Sequence, residues 1–358
     1  MVAIGKRLEN LMATLALLLL LIGTIYSTDS VLYERLQGWS IDSLLAARHQ
    51  IFGQQYPADQ SPVVVIAIDE QTYRTPPFDQ TPKVMWTREL ASIQNAVLAA
   101  GASVFAYDII FPTSLRDLKI DKDSNKELES CSQPCKPLKN YEKPYLRSLM
   151  LGTRSGKVVL GKAQHSEKPV VPDPTHSLMV RGQQNIRALN MIVDADGVIR
   201  RIPLLFDLQK GGKQPSMALE LAARYLQVKV ASPKNGKVFL GDQPIADSGG
   251  NSAYINFQGE GDIPTYSFAD IFHCIDSNPD YLAEHFKDKV VIFGGVLDIE
   301  DRKLTSKRLM TGLGAGKYMP ACTDKVEALK KVHSRDSIAG VFVQASATND
   351  LIRGNSLV

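Results

Sequence analysis

Five acids and two glycines carry most of the chemical potential of this chain, because each ends a short apolar run or lies just beyond one. Asp69 and Glu70 end residues 63–70 (VVVIAIDE) and Asp108 ends 103–108 (SVFAYD). Gly294 and Gly295 end 289–295 (KVVIFGG), with Asp298 and Asp301 just behind. Several carboxylates in one place call for a cation or for basic partners. Paired glycines let another group come close to the backbone. These seven residues form the candidate ligand pocket, one that would sense a small molecule, a cation or a protein. The plainer reading is that the acids cap helix starts and pair with arginines such as Arg200, Arg201 or Arg302, and on residue types alone it is favoured.

Other familiar chemistry finds little support. The chain has no G-x-S-x-G elbow, no H-E-x-x-H and no phosphate-binding G-x-x-x-x-G-K-[ST] loop. After Asp69 come Glu70, Gln71 and Thr72, one residue out of register for a D-x-T phosphotransfer nucleophile. The histidines His165, His176, His273, His285 and His333 lack ligand spacing, and no cofactor or metal is expected. Asp194, Ala195, Asp196 and Gly197 share letters with a calcium loop. Its first and twelfth positions would be Ile192 and Pro203, so a turn is the better reading. Ser267 with Asp270 reads as a capping box rather than a nucleophile with its base.

The four cysteines allow three pairings. Cys131 and Cys135 (CSQPC) in a polar stretch suit a local disulfide, leaving Cys274 with Cys322 as the second pair. Without a second pair or histidines at finger spacing they do not suit zinc. Free buried thiols are the alternative.

What must hold the acids together is a sheet. Runs this short, β-branched and apolar on both faces, are central strands of a parallel sheet, whose polar groups gather at the carboxyl ends. Between the first two, Thr81 and Pro82 look like a helix start. Trp86, Leu90, Ile93 and Val97 recur at helical spacing until Gly101, which makes a βαβ unit. Residues 113–143 read as a surface excursion, helix resumes near 145–151, and 157–161 (KVVLG) is a third strand. Apolar runs on either side of Asp196-Gly197 predict an antiparallel hairpin joining the sheet.

At the amino terminus Lys6 and Arg7 precede an apolar segment, 11–26, with no small-x-small cleavage pattern at its exit. The reading is an uncleaved signal anchor at the short end of spanning length, basic side in the cytoplasm and the rest outside it. Residues 31–52 look like an amphipathic helix interrupted at Gly38 and Trp39. A net charge of +3 spread along 358 residues, 22% of them charged, gives no nucleic-acid footprint.

Taken in order, AIDE (67–70), AGA (100–102), DADGVIRRIPL (194–204), PSMALELA (215–222), PTYSFADI (264–271), FKDKVVIFGG (286–295) and AGVFVQASATNDLIRG (339–354) resemble the second class of CHASE domain. Those are extracellular sensory modules associated with cyclases and histidine kinases. The resemblance implies signal reception rather than catalysis, a homodimer, and an output domain (nucleotide cyclase, kinase or diguanylate cyclase) beyond this chain. The expected architecture is α/β, with a mixed, mainly parallel sheet flanked by helices, an inserted antiparallel hairpin and one transmembrane helix. Its expected parts are a cytoplasmic terminus (1–10), an anchor (11–27), a helical linker (28–62), a sensory domain outside the cytoplasm (63–354) and the start of a further membrane region (355–358). The departures from the family pattern are the end at Val358 and the long basic stretch 304–337 that holds Cys322. Two other functions stay open: an anchored envelope interaction module without output, and an envelope enzyme using the acidic edge.

Overall fold

The computed structural model describes residues 2–25, 31–115, 140–165, 167–208, 211–234, 237–246, 248–259, 261–310, 316–324 and 337–357. In the first helix the side chains described are those of 11–23, and 231–234 are described by backbone alone.

Three predicted runs become neighbouring strands: β1 (Val63–Ile68), β2 (Val104–Tyr107) and, further along, Val290–Gly295. With β3 (Val158–Lys162), β4 (Ile186–Ala188) and β5 (Ile263–Ser267) before it, the last of these is β6, and Gly316–Tyr318 is β7. The seven lie in the order β7-β5-β1-β6-β2-β3-β4 and every pairing is parallel. β1 is buried along its whole length. Alternate residues serve opposite faces: Val63, Val65 and Ala67 meet one hydrophobic layer, and Val64, Ile66 and Ile68 the other. This is why the run is apolar without alternation.

Helices α1 (Val2–Ile25) and α2 (Val31–Phe52) open the chain. On one face of the sheet lie α3 (Thr87–Ala99), α4 (Lys143–Arg154) and, beyond the short α5 (Pro174–Met179) and α6 (Met217–Leu226), α7 (Phe268–Ser277) and α8 (Pro279–Phe286). The other face carries α6 packed on α9 (Gly340–Arg353), with Leu45 of α2 reaching the same layer. Ser216 caps α6, its Oγ accepting from the Leu219 amide. Gly354 closes α9 in the left-handed conformation a glycine adopts freely.

Several expectations need correction. The turn at Asp194 forms, with the Gly197 amide donating to the Asp194 carbonyl, but the run before it joins the sheet as β4 in parallel pairing, and the run after it does not join the sheet. Arg201–Pro203 pairs instead with Ser252–Tyr254 in a separate two-stranded ribbon. Thr81 does not cap α3. Its carbonyl and hydroxyl accept from the Trp86 indole, and a 3₁₀ turn, Lys83–Met85, precedes the helix. Helix α2 runs through Gly38 and Trp39 without a break. α1 forms, with exposed leucines from Leu11 to Leu21. Among the described residues, however, no helix is long and apolar enough to cross a membrane, so the expected span is not borne out.

Candidate functional site

The parallel register delivers the acids to one edge. Asp69 and Glu70 leave β1, Asp108 leaves β2, and β6 between them runs into the loop of Asp298 and Asp301. Asp69 is fully buried; its Oδ1 accepts from the Thr72 amide (2.9 Å), the Thr72 hydroxyl (2.8 Å) and the Ser267 hydroxyl (3.1 Å). Its Oδ2 is buried without a hydrogen-bond partner, and burial raises the carboxyl above its usual range despite those bonds. Glu70 accepts the Asp298 amide at 3.1 Å. Burial pushes Asp108 well up, the charge of Asp301 adds to this, and Lys303 opposes it. Lys303 itself pairs with Asp301 at 2.8 Å, and Arg302 stands 4.0 Å from Asp298. Tyr318 of β7 closes the edge; burial and the charges of Asp69 and Glu70 raise its phenol well above normal.

The two glycines divide. A Cβ on Gly294 would meet Val341 of α9 at 2.7 Å, so the residue it admits is Val341 rather than a ligand. Gly295 has room, its nearest foreign atom being Glu300 Oε2 at 3.9 Å. We expect Gly294→Ala to cost about 1–3 kcal/mol by overpacking, measured by urea denaturation, with Gly295→Ala as the mild comparison.

Arg200 and Arg201, expected near these acids, are elsewhere. Arg200, 1% exposed, binds Asp42 of α2 through Nε (2.8 Å) and Nη2 (2.9 Å), Asp194 through Nη1 (2.9 Å) and Asp196 through Nη2 (2.6 Å). Arg308 bridges Asp42 (2.9 Å) and Asp196 (3.1 Å), and Arg201 pairs with Asp194 (2.8 Å). Burial works against the Arg200 charge, yet its bonds to Asp196, Asp42 and Asp194 outweigh this and raise the guanidinium above its usual range. Asp196 is held at about 2, chiefly by the Arg200 bond. Gly38 makes this possible: a Cβ there would sit 2.5 Å from the guanidinium carbon. The apparent interruption of α2 is the slot for Arg200.

Among the described residues, open space lies along α2. A groove of about 420 Å³ runs between Ile41, Leu44, Leu45 and Arg48 on the helix and Tyr254 and Leu357 opposite. A smaller recess of about 130 Å³, lined by Glu34, Asp194, Arg201 and Ser248, continues it past Gln37. Among the described residues, no group of three or more His, Cys, Asp or Glu is placed to hold a metal ion.

The family model of the CHASE2 domain matches residues 13–358, essentially the whole chain. The chain belongs to the CHASE2 family. No curated protein and no solved structure matches it. CHASE2 is a sensory domain of signalling receptors and is not itself catalytic.

Two features of this CHASE2 domain escape a reading of its sequence. The Ser267/Asp270 capping box does not form. Ser267 turns to Asp69, while the Asp270 carboxylate takes the Cys322 amide (2.8 Å), the Thr323 amide (3.1 Å) and the Thr323 hydroxyl (3.1 Å). Beside it Cys274 and Cys322 form a disulfide, Cα atoms 5.8 Å apart, the pair read from the sequence. Cys131 and Cys135 lie outside the described residues. The second feature is the segment 255–259 (INFQG), on which α2 and α9 both rest. The Asn256 amide donates to Asp350 of α9 at 2.7 Å, and Arg48 of α2 donates to the Asn256 side chain and the Phe257 carbonyl. Two such distant contacts on one short segment have no local signature.

Proposed function

We propose that this CHASE2 domain is the signal-receiving part of a membrane-attached receptor, and that it reports by movement of α2 against the body at α9. The observation that carries this is the shared support just described, extended by Arg353 of α9. Arg353 lies 4.0 Å over the Tyr56 ring just past α2 and donates to the Gln60 carbonyl at 2.6 Å. The end of the chain belongs to the same place, Leu357 bridging to Tyr254 beside the groove. Helix α2 and the segment after α9 therefore meet across the groove, and a small shift of one against the other is a signal that an attached output domain can read.

A position outside the cytoplasm is supported by the Cys274–Cys322 disulfide, which persists in oxidising compartments. Membrane attachment is supported by α1, whose exposed leucines need cover. The output, a cyclase, kinase or diguanylate cyclase, and a homodimeric assembly complete the reading. The acidic edge or the α2 groove receives the signal. Its test is a cross-link between cysteines introduced as Leu44→Cys and Leu357→Cys on opposite walls of the groove. Locking this pair in the intact receptor should fix its output in one state, whatever stimulus is added. An output that still responds in full would end the coupling reading.

A further inference from the structure

The junction of α2 and α9 contains a buried carboxylate whose charge has one counterpart on α2. Asp350, 3% exposed, sits on α9 beneath the segment 255–259 and accepts the Asn256 amide at 2.7 Å. Arg48 of α2 donates to the side chain of the same Asn256. The other charged groups around it are otherwise engaged. Asp262, also buried, pairs with Lys307 at 3.1 Å, and Lys307 donates as well to the Gly259 carbonyl at 2.7 Å. Arg353, on Asp350's own helix, is turned onto Tyr56 and Gln60. The His49 ring of α2 rests on Gly259, where a Cβ would overlap it. The segment 255–259 has no ionisable side chain. Thus Asp350 acts on α2 through Arg48 and Asn256.

We propose that protonation of Asp350 controls the docking of α2 on the body, which makes the proton a ligand of this sensory domain. The inference rests on the coupling reading above and names a stimulus for it. With Asp350 ionised, its charge draws Arg48 onto Asn256 and α2 stays docked. With Asp350 neutral, that attraction is gone while the Asn256 amide keeps its acceptor, so the body holds and the Arg48 end of α2 loosens. Burial sets the proton affinity: it raises the Asp350 carboxyl well above the usual carboxylate range. The Asn256 bond opposes this, the Asp262 charge adds to it, and Arg48 and Arg353 oppose it. Burial weakens the hold of Arg48 on its own proton, and Asp350 counters that.

The sign separates two effects. A carboxyl whose folded pKa is raised binds its proton more tightly in the folded state. Stability of the body therefore rises as pH falls through the raised value and is lower above it. Docking of α2 changes in the opposite direction. Asp262, also raised, chiefly by burial with Lys307 opposing, adds to the first effect but not the second, since its partner is not on α2.

The experiment uses the full chain with spin labels on Leu44→Cys and Leu357→Cys, Cys131 and Cys135 being changed to Ser, and reads the distance distribution from about pH 8 to about pH 5. The docked-to-undocked ratio should fall about tenfold, the effect of a tenfold difference in proton affinity between the two states. Asp350→Asn should hold the ratio low at every pH while raising the unfolding temperature at the alkaline end. Arg48→Gln should also abolish the pH response, and Asp262→Asn should keep it. A ratio that exchanges but does not titrate, or an Asp350→Asn protein that titrates like the parent, overturns the proton proposal and leaves the coupling reading standing. A single docked distance in every variant and condition overturns both.

Discussion

Replacing Arg200 with Met should remove about 3–5 kcal/mol of unfolding free energy, because it leaves the buried Asp42 carboxylate with Arg308 as its remaining partner, shared with Asp196, while Asp194 keeps only Arg201. The contrast that makes this informative is Lys83→Met. That change breaks an exposed 3.5 Å pair with Glu300 and should cost no more than about 1 kcal/mol. Urea denaturation of both variants measures the difference, and a loss below about 1 kcal/mol for Arg200→Met would show that the cluster is solvated rather than buried. The pH dependence has a definite sign. Asp196, held at about 2 against an unfolded value near 3.9, contributes stability that is complete above the unfolded value and is lost as pH falls towards 2. Arg200 stays charged throughout that range and adds no slope of its own. This clamp therefore outlasts the Arg48 contact on mild acidification, so released α2 would still be tethered at Asp42.

Loss of the Cys274–Cys322 disulfide should cost about 4 kcal/mol by the chain-entropy argument for a separation of 48 residues, within the usual 2–5 kcal/mol. Cys322→Ser in a background lacking Cys131 and Cys135 isolates the effect, and calorimetry of the parent with and without reductant gives an independent value. Equal unfolding temperatures in the two redox states would mean that the bond does not form. The consequence is also local. The bridge and the three donors to Asp270 fix the chain just after β7, and β7 carries Tyr318 to Asp69 and Glu70. Reduction should loosen the cover of the acidic edge before the sheet itself opens.

The sheet was legible because a buried parallel strand writes its environment locally: Val63–Ile68 is apolar on both faces and could lie nowhere else. The same holds for α3, whose Leu90, Ile93 and Val97 recur at helical spacing and face the core. The acidic edge was legible too, since parallel register carries strand-end residues to one side without further information. The ionic partners were not. Arg200 and Asp42 are 158 positions apart, and Ser267 and Asp69 are 198. Nothing near an arginine tells it which of many aspartates it will meet. One sign was present and was read as a break: a glycine inside a helical pattern costs about 1 kcal/mol, and Gly38 is kept where a guanidinium must touch the helix. The DADG turn was likewise read for its backbone alone, although its two carboxylates proved to be the ones that hold Arg200.

The placement of β1 sets a timetable for the making of the molecule. It emerges first of the seven strands yet lies between β5 and β6, with Val65 opposite Thr265 and Ile292. At about 5–20 residues per second, a ribosome needs on the order of ten to forty seconds to reach those partners. Throughout that interval a fully apolar six-residue strand has both its edges open. A nascent chain of this kind depends on something else to cover it until the last third arrives, and truncated forms ending before β5 should be found with chaperones or in aggregates rather than as smaller folded domains.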